Sequence, residues 1–146
     1  HASTRTLIAD ADWTTNVDES WLYFQGNDYD TTVTRSRFTS SADMTQAFIH
    51  FGSLISSRTT LSNCEFYGNG TGVAIDVDPG DGSFFTASNN TFFGFGTAGI
   101  RTNANSKNVF FHGNRAYSGV LFSDGGTGTL FRDNLLAGST FVSDTP

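Results

Sequence analysis

Three side chains suited to acid–base work and anion binding, His50, Asp76 and Arg101, each stand directly after an isoleucine, at Ile49, Ile75 and Ile100. A carboxylate that orients an imidazole makes a general base, and a guanidinium beside them takes an anionic sugar group. The same trio on an open surface amounts to ion pairs of ~0–1 kcal/mol each. Either reading requires an architecture that sets the three shared contexts side by side.

Other candidates answer to different chemistry. The loop DVDPGDG carries Asp76, Asp78 and Asp81, an oxygen-rich set that suits Ca²⁺. Against a metal, the third acid of an EF-hand-like spacing would fall at Gly80, no distal glutamate follows, and Pro-Gly and Asp-Gly are ordinary turn dipeptides. The expectation is therefore no bound cofactor. Trp21, Tyr23 and Tyr29 are candidate platforms for sugar rings, with Trp21 and Tyr23 on one face of WLYF and Leu22 and Phe24 on the other. His1 raises copper chelation through its amine and imidazole, but the repeat separates its required partners, His50 and His112. LYFQG, Leu22–Gly26, resembles a protease-cleavage tag. Its acid, Glu19, lies one residue too far upstream, so the segment reads as native strand.

The positioning elements come from an internal repeat. LSNCEFYGNGTGVAID from Leu61 and ASNNTFFGFGTAGIRT from Ala87 say nearly the same thing 26 residues apart. A small polar residue two before an apolar one anchors each copy: Ser36/Phe38, Cys64/Phe66, Asn90/Phe92, Asn114/Ala116 and Asn134/Leu136. The anchors are spaced by 28, 26, 24 and 20 residues. A turn and a short apolar strand follow each one, at AFIHF, GVAIDV, AGIRT, GVLF and TFV, and then a polar, Gly-rich link. The links carry no helical periodicity, and two or three short strands per 20–28 residues suit a solenoid whose coils stack about 4.7–4.9 Å apart. Phe38, Phe66 and Phe92 then stack inward, and the anchors form a ladder of mutually bonded polar side chains. Cys64 is a small member of that ladder rather than a reactive thiol. Arg37, Glu65, Thr91 and Arg115 form a second outward column, with Arg37 and Glu65 a surface pair. The shrinking repeat predicts a taper toward the C-terminus.

Composition agrees. With 15 Phe, 16 Gly and one Met, the 146-residue chain favours strands and turns in one domain. A net charge of −6 with only 8 Lys and Arg argues against nucleic acid and against an anionic membrane surface. No apolar run approaches a membrane span, and the single Cys excludes an internal disulfide.

The pattern of strand, Asn, x, aromatic, Gly, turn and strand resembles the right-handed parallel β-helix of the pectate-lyase-like superfamily, over roughly residues 20–143. The fold expectation is an all-β solenoid of five to six coils over 21–146, preceded by a cap or lead-in over 1–20 that holds Trp13 against the open end. In character the chain is most similar to phage tailspike and tail-fibre segments. That resemblance implies an extracellular or virion-surface homotrimer whose partner is a cell-surface polysaccharide. The expected role is to bind, or support binding of, glycan without catalysis. A small polysaccharide lyase or glycoside hydrolase is the alternative, and a structural spacer the third. Glycoside cleavage needs two carboxylates about 5–9.5 Å apart, and the aligned columns offer no acidic neighbours.

Overall fold

The computed structural model describes residues 4–18, 22–27, 29–42, 47–55, 58–69, 72–77, 84–104, 106–126, 128–136 and 139–143. Its strands form three six-stranded sheets. Sheet A contains Thr4–Ala9, Tyr29–Thr34, Arg58–Ser62, Phe84–Ser88, Val109–His112 and Leu130–Arg132. Sheet B contains Asp12–Thr15, Arg37–Ser40, Glu65–Tyr67, Thr91–Phe93, Arg115–Ala116 and Leu135–Leu136. Sheet C contains Leu22–Asn27, Ile49–Ile55, Val73–Val77, Ala98–Thr102, Gly119–Asp124 and Ser139–Ser143. The chain visits A, B and C in turn, and every pairing between successive visits is parallel. The result is a β-solenoid of six three-strand rungs. Equivalent residues on neighbouring rungs lie 25, 28, 26, 24 and 20 residues apart, so the rungs shorten from the second to the fifth.

The stacked register explains the repeat. Trp13, Phe38, Phe66, Phe92, Ala116 and Leu136 pair in one column of sheet B. Phe38 and Phe66 stack at 4.9 Å, Phe66 and Phe92 at 5.1 Å, all three rings fully buried. Burying each such ring stabilises by roughly 1.5–3 kcal/mol. Trp13 continues the column, 6.2 Å from Phe38. The described part of 1–20 therefore supplies strands to the first rung, and Trp13 covers the core as its terminal member. LYFQG lies within a sheet C strand paired to the next rung.

The turn from sheet A to sheet B is two residues long. Its first position is left-handed in every rung: Asp10, Arg35, Asn63, Asn89, Gly113 and Asp133, with φ between 48° and 65°. Asn, Asp and Gly tolerate that region, and Arg35 is the exception. Arg35 is held by a two-pronged contact with Asp10, Nε to Oδ1 at 2.8 Å and Nη2 to Oδ2 at 2.7 Å.

From the second rung onward the second turn position is the polar ladder, and in the first it is Ala11, whose amide donates to Ser36 Oγ at 3.2 Å. Asn90 Nδ2 donates to Asn114 Oδ1 (3.0 Å) and to the Leu61 carbonyl (3.1 Å). Asn114 Nδ2 repeats this with Asn134 Oδ1 and the Ala87 carbonyl, and the Asn134 amide donates to the Phe111 carbonyl. Each Asn Oδ1 also accepts the anchor amide of the preceding rung, at Cys64, Asn90 and Asn114. Ser36 and Cys64 are too short to reach a neighbouring side chain, and each donates to a carbonyl two residues back, Thr34 and Ser62.

Candidate functional site

Sheet C brings His50, Asp76 and Arg101 together. Ile49, Ile75 and Ile100 pair in register on the core side, which aligns the next residues on the outer side. His50 Nδ1 lies 3.1 Å from Asp76 Oδ2. Arg101 Nε donates to Asp76 Oδ1 and its Nη2 to Oδ2, both at 2.9 Å. Ser123 pairs with Arg101 on the following rung, and Tyr23 with His50 on the preceding one. The Tyr23 and His50 rings stack at 4.7 Å, 8° from parallel. Leu22 and Phe24 pack against the core, so WLYF turns Tyr23 outward, where it is 58% exposed.

The ladder differs from the expected open surface in one respect: Asp76 is only 6% exposed. A short carboxylate between an imidazole on one rung and a guanidinium on the next is covered by both. A buried charge must be partnered, and Asp76 has three polar contacts from two cations or potential cations. Its hydrogen bonds raise the Arg101 guanidinium further above its ordinary value, with desolvation acting against them.

The arrangement can do two things chemically. With Nδ1–H donated to Asp76, His50 Nε2 has no partner among the described residues and becomes the acceptor offered outward. Arg101, half-exposed, keeps N–H groups that Asp76 does not engage. The column therefore reads, in order along the axis, aromatic face, imidazole, buried anion, guanidinium and hydroxyl.

The remaining candidates are not assembled here. Trp21, Asp78, Asp81 and His1 lie outside the described residues, as does the side chain of Tyr29, whose backbone opens a sheet A strand. Asp76, the described member of the acidic loop, is committed to His50 and Arg101. His112 projects from sheet A beside Phe110, with Nε2 3.4 Å from Asp133, so His112 and His50 lie on different sheets. Cys64 is buried, and desolvation pushes its thiol up to about 11. That suits a ladder member and not a nucleophile.

Sheet B carries more than the sequence disclosed. Outside the Arg37, Glu65, Thr91, Arg115 column runs an aromatic stack, Tyr67 on Phe93 at 4.7 Å and Phe93 on Tyr117 at 4.9 Å, within 11° of parallel. The signal was present, because each ring directly follows an inward Phe or Ala. Rings stacked on one another present their edges outward, so they wall the column instead of offering faces to sugars. Arg37 Nη2 meets Glu65 Oε2 at 2.8 Å and its guanidinium lies 5.8 Å from the Tyr67 ring centre. A cleft of about 470 Å³ adjoins this pair, bounded at the turn by Asp10, Arg35 and Asn63.

A three-sheet parallel solenoid with an asparagine ladder at its two-residue turn defines the class of protein. The family model described as "Right handed beta helix region" matches residues 15–143, and the chain belongs to that family. No curated protein and no solved structure matches the chain.

Proposed function

We propose that the outer face of sheet C binds glycan without cleaving it. The observation that carries this reading is the Tyr23–His50–Asp76–Arg101 column: an exposed aromatic ring beside polar groups held fixed by a buried carboxylate. Tyr23 lies on the edge strand of sheet C, so among the described residues its stack on His50 covers one ring face and leaves the other for a sugar ring, and hydrogen-bonding groups locked in place before binding lose little freedom on contact. Asp76 is engaged on both oxygens, which favours a structural over an acid–base role for it. The proposal includes an extracellular or virion-surface setting and a homotrimeric assembly, as in the tailspikes the chain resembles. It does not extend to nucleic acid or to membrane insertion.

A second reading has its own support. His50 oriented by Asp76 at 3.1 Å, with Arg101 adjacent, is the arrangement of a general base beside an anion-binding group, as a small polysaccharide lyase would use.

One set of experiments separates the readings. A glycan array should show hits that Tyr23→Ala weakens. Incubation with acidic and neutral polysaccharides should yield no reducing ends and no unsaturated products. Cleavage that is lost in His50→Ala would establish the lyase reading, and an array without hits would leave a spacer.

A further inference from the structure

A smaller recess lies further along the same edge as the cleft beside Arg37, where the sheet A–sheet B turn meets the outward column of sheet B. It measures about 240 Å³ and is lined by Asn89, Thr91, Gly113 and Arg115. We infer that this recess is a subsite for one sugar residue bearing an anionic substituent, with Arg115 taking the anion and Asn89 and Thr91 the ring hydroxyls. The inference rests on the glycan-binding reading of the protein, but on a different surface from the Tyr23 column.

Three features converge there. The first is charge. Arg5, Arg35, Arg37, Arg58, Arg101 and Arg132 each lie within 4.0 Å of a carboxylate oxygen. Arg115 has no such partner among the described residues, and it is exposed. Its rung neighbours are Thr91 and Leu135, where Arg37 has Glu65. An arginine with all its donors available at the rim of a recess is a ready partner for a carboxylate or sulfate.

The second feature is the opening itself. Every other described turn of this type carries a side chain at its left-handed position, and Gly113 alone carries none. A Cβ built at Gly113 would sit 2.5 Å from Asn89 Oδ1, so the glycine makes room there for the Asn89 side chain. The missing side chain leaves the Asn89 amide at the surface of the recess. The third feature is size. At about 240 Å³ the recess is below the ~300–1,000 Å³ of sites that enclose drug-sized ligands. That fits a single ring, and all four lining residues offer it polar groups.

Titration of the ¹⁵N-labelled protein with glucuronate, glucose 6-sulfate, glucose and inorganic sulfate tests the inference. Saturable shifts of the Thr91, Gly113 and Arg115 amides are expected with one or both anionic sugars, and the two arms tell carboxylate from sulfate. Glucose should bind at least about tenfold more weakly, and Arg115→Gln should lose about tenfold or more in affinity, with Arg115→Lys recovering part of it. Equal response to inorganic sulfate alone, or no response at these amides, would overturn the inference. Shifts at Tyr23 and His50 report the sheet C surface separately, so each site fails or stands by its own signals.

Discussion

Two in-register polar columns run along this solenoid, and they differ in where the acid sits. On sheet C, Asp76 is covered, with His50 on one side and Arg101 on the other. On sheet B, Glu65 meets Arg37 with both side chains about half exposed, 44% and 53%. Both columns come from the same device, a repeat that places unlike charges on successive rungs. They differ in burial and in that Asp76 has a partner on both neighbouring rungs, whereas Glu65 lies between Arg37 and Thr91. A covered carboxylate fixes the groups around it, whereas an exposed pair competes with water and loses side-chain freedom for little gain.

The largest expected effect comes from removing the covered acid. In Asp76→Ala, Arg101 and His50 lose their common acceptor. Breaking a buried pair costs about 3–5 kcal/mol when the partner stays buried. Arg101 retains 42% side-chain exposure and can rehydrate, so the expectation is the lower end, ~3 kcal/mol, read from urea denaturation. Asp76→Asn keeps the shape without the charge and should fall between Asp76→Ala and the unsubstituted chain. A loss under ~1 kcal/mol in Asp76→Ala would mean that the sheet C column is no more fixed than the sheet B one.

The solenoid, its repeat and the inward Phe column were legible because stacking forces equivalent residues to recur, and recurrence can be read without coordinates. The alignment of His50, Asp76 and Arg101 was legible for the same reason. The burial of Asp76 was not, since cover on an outer face depends on side chains from neighbouring rungs and not on alternation within one strand. The left-handed turn column was partly visible as Asn63, Asn89, Gly113 and Asp133, one residue before the anchors, with Asp10 as its first member. Arg35 hid it, because arginine carries no turn signal and its contact with Asp10 joins residues 25 positions apart. The face on which Tyr23 lies could not be decided from WLYF, whose two alternating faces are both apolar. Pairing with Ile49 and His50 decided it.

Cys64 sits directly before Glu65 and measures how tightly the rung beneath the exposed column is closed. Burial raises its thiol from an ordinary 9.0 to about 11, so the folded chain holds this proton more strongly than the unfolded chain does. Stability from this group is whole below pH 9 and is lost as pH rises toward 11, by about 2 kcal/mol at that point. At pH 8 the native thiol should resist a disulfide reagent and react fully only on unfolding. Rapid reaction in native buffer would show that the sheet B rung opens locally, and the contrast between the columns would then be one of dynamics as well as burial.

The smallest effect is expected at Glu65. Arg37 donates to Glu65 Oε2 from Nε at 3.0 Å and from Nη2 at 2.8 Å, and the Tyr67 hydroxyl donates to the same oxygen at 3.3 Å. Solvent reaches all of these groups, so Glu65→Gln should leave the denaturation midpoint unchanged within error. The substitution should still be visible in Tyr67. Its phenol is held above the ordinary value first by desolvation, then by the Glu65 charge and hydrogen bond, with Arg37 acting the other way. Removing the carboxylate leaves desolvation opposed by Arg37 alone, so the phenolate absorbance should appear at lower pH. A midpoint drop as large as that of Asp76→Ala would show that exposure does not separate the columns. An unmoved Tyr67 titration would show that the Glu65–Tyr67 contact does not persist in solution.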